Sequence, residues 1–236
     1  MMTNKIKGVF FDLVGTLIYV KSSVGEVYSL AAREYNIESD PKILNKNFIE
    51  EFSRLKQPNG NEYDEKEYWS KIVFNTFLKS GYDISPYFDK IFNFLYTEFS
   101  KESSWSIYPD AIHTLEKLQT FSDIIIGLIS NFDNRLLTIL SDLNLKQYFH
   151  TISYSGKTGY SKPDPRAFLI PLSEKALLAE EVIYVGDSLQ NDYLPASELG
   201  LTALLIDREK ERKNHKSNKI NRINNLNQIF SYFHNC

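Results

Sequence analysis

The hydrophobic pattern of the chain changes period twice. Val9-Phe10-Phe11 is a short β-branched and aromatic run, the signature of a buried strand. From about Val20 to Phe99 apolar residues recur at helical spacing. One helix covers Ser23 to Tyr35. A second opens at Pro41 and runs through Ile43, Phe48, Ile49 and Phe52. A third, capped by Asp64, carries Tyr68, Trp69, Ile72, Val73, Phe77 and Leu78, and Gly81 ends it. A fourth starts near Pro86 and carries Phe88, Ile91, Phe92, Leu95 and Phe99. Gln57-Pro-Asn-Gly-Asn61 breaks the pattern between the second and third helices. From Trp105 onward strands and helices alternate. Strands are predicted at Ile124–Ile129, Phe149–Ser153, Glu181–Val185 and Thr202–Ile206. Helices are predicted from Tyr108, Asp133, Arg166 and Asn191, and Asn221–Phe233 reads as one more surface helix. Such alternation predicts an α/β fold with a doubly wound parallel sheet and right-handed crossovers, interrupted after its first strand by a helical insertion.

Composition bounds the function class. The chain has 236 residues, 42% of them hydrophobic, which is enough for a core plus an insertion. The net charge of −3 supplies no global field for nucleic acid or an anionic membrane. Cys236 is the single cysteine, so no internal disulfide or cysteine-based zinc site is expected and a reducing, cytoplasmic setting fits. The N-terminus shows neither a basic n-region nor a long apolar h-region, and Ile124–Ile129 is too short to span a bilayer. The run from Arg208 to Arg222 holds seven basic and two acidic residues. It reads as a solvated loop or helix face, because no aromatic residues interleave to stack bases. Oligomeric state is not readable from the sequence.

Chemistry-bearing residues fall where predicted strands end. Asp12 follows the first strand, with Gly15 and Thr16 behind it. Ser130-Asn131 follows the strand at 124–129. Gly186-Asp187-Ser188 follows the strand at 181–185, with Asp192 five residues after Asp187. Lys162 lies in the loop Ser161-Lys-Pro-Asp-Pro165. Singly, each has a structural reading: Asp12 and Asp187 as turn residues, Ser130-Asn131 as a helix N-cap pair, Lys162 as a surface lysine, Asp192 as a first-turn acid. Jointly they point to one site, because the C-terminal ends of parallel strands share an edge.

Order, spacing and surrounding residues resemble the haloacid dehalogenase-like hydrolase superfamily over essentially the whole chain. The resemblance implies a Rossmann-like core at 1–18 and 103–236 with an inserted helical cap at 19–102. It also implies an aspartyl-phosphate chemistry on Asp12 and a Mg²⁺ cofactor. Asp12, the Val14 carbonyl and Asp187 would hold the ion, with Asp192 direct or through water. Ser130 would donate to a phosphoryl oxygen with help from the Asn131 backbone, Lys162 would bring positive charge to nucleophile and phosphate, and Thr16 would orient the motif. The expected substrate is a small phosphorylated metabolite. If the cap closes over the Asp12 edge, Tyr19, Lys21 and Tyr28 are candidate substrate contacts, and Gly25 and Ser103-Ser104 candidate hinges.

One position departs from the pattern. Most phosphatases of this family carry a second Asp two residues after the nucleophile, where this chain has Val14. That Asp protonates the leaving alcohol and later deprotonates water, help worth about 10²–10⁴-fold. Four readings stay open: a slow phosphatase, or one for leaving groups that need no proton, such as acyl phosphates; a 2-haloacid dehalogenase; a C–P hydrolase, which would need a cap lysine such as Lys21, Lys56 or Lys71; and a catalytically weak binding or regulatory protein on the same fold.

Overall fold

The computed structural model describes residues 5–55, 64–208 and 220–233. Strand β1 (Gly8–Phe11) and strand β2 (Ile18–Val20) open the chain. Four helices follow: α1 (Val24–Arg33), α2 (Pro41–Arg54), α3 (Glu65–Lys79) and α4 (Phe88–Glu98). Then come β3 (Trp105–Ile107), α5 (Ala111–Gln119), β4 (Ile125–Ser130), α6 (Arg135–Asp142), β5 (Thr151–Tyr154) and α7 (Ser155–Thr158). The chain closes with α8 (Pro165–Glu174), β6 (Val182–Gly186), α9 (Leu194–Glu198), β7 (Thr202–Ile206) and β8 (Arg222–Ile223).

Six strands form one sheet in the order β5-β4-β1-β6-β7-β8, and every pairing in it is parallel. This is the parallel α/β sheet expected from the alternation, and the Rossmann-like core that the resemblance implied. Strand β1 is central: Phe11 lies opposite Leu128 of β4 on one side and Val185 of β6 on the other. All residues of β1 and β6 are buried, which is why both read as unbroken apolar runs rather than alternating ones. Phe10 packs with Ile129, Phe168, Tyr184 and Leu205 in the sheet's core.

The chain divides into two compact units, Met1–Tyr19 with Ile107–Cys236, and Val20–Ser106. The division falls at later residues than the expected 18/19 and 102/103. Strands β2 and β3 pair in a sheet of their own, and this pairing carries ordered backbone past both expected boundaries. The helical unit has a core of Tyr28, Leu44, Val73, Phe77, Ile84, Ile91 and Leu95. Tyr28 stacks on Phe77 at 5.5 Å, so it is bundle core. Gly25 is likewise a packing residue: a Cβ there would stand 1.9 Å from the Pro41 carbonyl oxygen at the start of α2. The expected helix start at Pro41 and cap at Asp64 hold, and the structure adds two further caps. Ser23 and Glu26 form a reciprocal capping box, and the Asp40 and Asp64 carboxylates accept from the first-turn amides of α2 and α3.

The C-terminal stretch differs from the expected surface helix. Arg222–Ile223 pairs with β7 as an edge strand, and a 3₁₀ segment, Leu226–Phe233, buries Leu226 and Ile229. A two-residue strand carries too little periodicity to register in the sequence. Lys56, the breaker at 57–61, most of the basic run (209–219) and Cys236 lie outside the described residues.

Candidate active site

The site grows from the end of β1. The Asp12 amide still donates to the Val185 carbonyl of β6 at 2.9 Å, and the chain then doubles back. The Leu13 carbonyl accepts from the amides of Thr16, Leu17 and Ile18. Gly15 sits in this turn at φ +88°, and a Cβ there would lie 2.4 Å from the Asp187 carboxylate. Glycine is therefore required twice over, by the backbone and by the approach of Asp187. Among the described residues no hydrogen bond reaches the Val14 carbonyl, which leaves its lone pairs for another partner.

The loop before α8 brings Lys162 into the same place. Its Nζ donates to Asp12 Oδ1 at 2.7 Å, to Asp192 Oδ1 at 2.6 Å and to the Tyr184 hydroxyl at 2.9 Å. An ammonium group has three protons, and all three are used. Tyr184 completes the ring by donating to Asp192 Oδ1 at 2.7 Å. Asp192 Oδ2 accepts from the Ser188 amide at 3.0 Å, so this carboxylate is held on both oxygens. Gly186 makes room for it: a Cβ there would come within 2.4 Å of the Asp192 Cγ. Thr16, fully buried, donates its hydroxyl to Asp12 Oδ2 at 3.3 Å.

Ser130 closes β4 beside β1, buried, with no hydrogen bond to its hydroxyl among the described residues. The Asn131 side chain takes a different place from the one expected of its backbone. It receives the Lys162 amide on Oδ1 at 2.7 Å and donates Nδ2 to the Lys162 carbonyl at 2.8 Å. This clamp fixes the main chain from which the ammonium group extends.

Asp12, Asp187 and Asp192 present oxygens that all lie within 4.8 Å of one another. Three carboxylates face one ammonium group, so two negative charges lack a partner when all are ionised. The electrostatics show the imbalance. Burial, opposed by Lys162 but aided by Asp192, raises the Asp12 pKa to about 6. Asp187 is exposed by surface area, yet its carboxylate lies against Gly15. Loss of solvation and then the charges of Asp12 and Asp192 push its pKa to about 8. Burial works against charge on Lys162, but the two aspartates outweigh it and keep the ammonium form. No hydrogen bond to Asp187 comes from another described side chain. A compact set of hard oxygen donors with two charges uncompensated fits a divalent cation. Asp187 is the donor least committed elsewhere, while Asp12 already accepts from Lys162 on one oxygen and Thr16 on the other.

The expected residues Asp12, Thr16, Lys162, Asp187 and Asp192 therefore meet at one edge of the sheet. Tyr184 joins them and was not foreseen. Its signal was present: a tyrosine inside the otherwise aliphatic strand Val182-Ile-Tyr-Val185 buries a hydroxyl that must find a partner.

Fold and site together define a class, a parallel α/β core with a cluster of carboxylates gathered where its central strands end. The comparisons place the chain within it. The family model for haloacid dehalogenase-like hydrolase matches residues 6–200, and the chain belongs to that family. It is 31% identical over 217 residues to the haloacid dehalogenase-like hydrolase domain-containing protein 3 of Danio rerio, covering 90% of this chain and 89% of that one. Among solved structures it is similar to a HAD phosphatase from Thermococcus onnurineus, with a TM-score of 0.67 at 22% identity over 97% of this chain and 98% of that chain. It is also similar to a 2-haloacid dehalogenase from Pseudomonas syringae pv. Tomato DC3000, with a TM-score of 0.63 at 22% identity over 96% and 97% of the two chains. At these identities the structural likeness speaks for the fold alone. No helix among the described residues is long and apolar enough to cross a membrane.

Proposed function

We propose that this hydrolase is a Mg²⁺-dependent phosphatase for a small phosphorylated metabolite, working through a covalent aspartyl phosphate on Asp12, and suited to leaving groups that need no proton. The observation that carries this reading is the charge balance of the site: three carboxylates gathered within 4.8 Å against the single Lys162 ammonium. A dianionic phosphate approaches such a cluster only if further positive charge is present. Mg²⁺ held by Asp12, the Val14 carbonyl and Asp187 would supply that charge and polarise the phosphoryl oxygens.

The chain's own residues account for the rest. Lys162 holds Asp12 Oδ1 in an ion pair, which fixes the carboxylate for attack. Attack by an Asp12 oxygen on phosphorus forms the P–O bond to Asp12 and breaks the bond to the leaving oxygen. Water then attacks the aspartyl phosphate, releasing inorganic phosphate and restoring the carboxylate. The unbonded Ser130 hydroxyl is available to a phosphoryl oxygen. Val14 can neither protonate a leaving alkoxide nor take a proton from water, so alkyl phosphates turn over slowly and acyl phosphates are favoured.

The dehalogenase reading also suits a leaving group without a proton, but it leaves the three carboxylates and their charge unexplained. The test is phosphate release from acetyl phosphate, an aryl phosphate and an alkyl phosphate, with Mg²⁺ and with chelator. Turnover in the order acetyl over aryl over alkyl, lost with chelator and lost in Asp12→Asn, is expected. Halide release from a 2-haloacid in chelator, with no phosphate release from the panel, would replace the proposal with a dehalogenase.

A further inference from the structure

The first residue of the basic run is not solvated. Arg208 follows β7, and only 13% of its side chain is exposed. Its Nη1 lies 2.8 Å from each oxygen of the buried Asp110, at the start of α5. Its Nη2 donates to the Thr16 carbonyl. The guanidinium plane rests on the Tyr108 ring at 3.9 Å, and Tyr108 in turn donates its amide to the Leu17 carbonyl and packs on Tyr19 at 4.7 Å. Asp110 is itself fixed by the Leu226 amide at 2.7 Å.

From this geometry we infer that Arg208, oriented by Asp110 and Tyr108, is a positioning residue for the nucleophile: it fixes the Thr16 carbonyl and thereby the turn from Leu13 to Ile18 and the Thr16 hydroxyl on Asp12. The physical need is clear. The turn departs from the sheet, so no neighbouring strand holds the Thr16 carbonyl. A charged donor on a buried carbonyl is stronger than a neutral one, and a planar fork shared with Asp110 offers little rotational freedom. Thr16 thus receives Arg208 on its main chain while its side chain donates to Asp12 Oδ2 at 3.3 Å. A lysine cannot reproduce the fork, since its point charge reaches Asp110 or the carbonyl but not both in one plane.

The inference rests on Asp12 being the nucleophile for its catalytic consequence, but its structural part is measured without turnover. In amide hydrogen exchange on the metal-free full chain, Arg208→Met should speed exchange at Leu17 and Ile18 about 10-fold or more, with β6 amides unchanged. Unchanged exchange in the turn overturns the inference. If Arg208→Met fails to fold, Arg208→Lys is read at the same amides with the same criterion. With acetyl phosphate and Mg²⁺, Arg208→Met should lower kcat about 10–100-fold with KM within about twofold. The double variant with Thr16→Val should lose less than the two single losses combined, because part of the arginine's effect runs through the Thr16 hydroxyl. Additive losses overturn it. Should the wild-type chain release no phosphate, the proposed function falls alone and the exchange result still decides the role of Arg208.

Discussion

The two compact units bury different things. The helical unit, Val20–Ser106, is stitched by rings: Tyr28 on Phe77, Phe48 on Phe52 and Phe52 on Trp69 are all stacked pairs between 5.5 and 5.9 Å. Its buried acid, Glu51, is answered locally by Arg54 and Lys79. The sheet unit buries Asp12, Lys162 and Asp192 in one cluster, with a carboxylate excess that folding alone does not explain. A buried charge set with incomplete compensation costs stability. The difference separates a region whose buried acid is paired locally from a region that keeps an unfavourable charge excess, the arrangement the proposed cation would complete.

Substitutions can break or sharpen this contrast, and the largest effect is expected at Asp12, the proposed nucleophile. Asp12→Asn should lower phosphate turnover by at least about 10⁴-fold while the protein stays folded, as read by phosphate release beside a thermal melt. Val14→Asp should raise turnover of an alkyl phosphate about 10²–10⁴-fold and that of acetyl phosphate far less. Equal gains for both would mean that leaving-group protonation is not what the site lacks. In the helical unit the expectation reverses. Phe77→Ala, at a fully buried ring, should cost about 3–5 kcal/mol in urea unfolding and leave the Mg²⁺ titration of the folded protein unchanged.

Smaller effects test the support of the acid cluster. Gly186→Ala forces a Cβ against Asp192 and should weaken Mg²⁺ binding about 10-fold or more by calorimetry, although no charge has been altered. Asp187→Asn gives the last and smallest signal. The native carboxyl, raised to about 8 from an ordinary 3.8, keeps a proton that the unfolded chain has lost. Stability of the metal-free protein therefore falls as pH rises between those values. The asparagine variant should melt higher than wild type in chelator, by a margin that widens from pH 5 to pH 8. Parallel pH curves for the two proteins would remove the Asp187 carboxylate from the destabilised set.

What the sequence by itself determined was local. Helical period, with Pro41 at one helix start and Asp64 capping another, marked the inserted bundle, and unbroken apolar runs marked β1, β4, β6 and β7. Each depends on residues within a turn or a few positions, so each is written in consecutive letters. Parallel order then carried Asp12, Ser130, Asp187 and Asp192 to a common edge, because strands of one sense end on one side. The tertiary structure alone decided the partners. It set Asn131 on the Lys162 main chain and Tyr184 between Lys162 and Asp192. It also took Arg208 out of a basic run to the Thr16 carbonyl, 192 positions away. Those pairings arise where crossovers deliver distant segments to one place, and a side chain's neighbours across such a distance leave no period in the chain that encodes them.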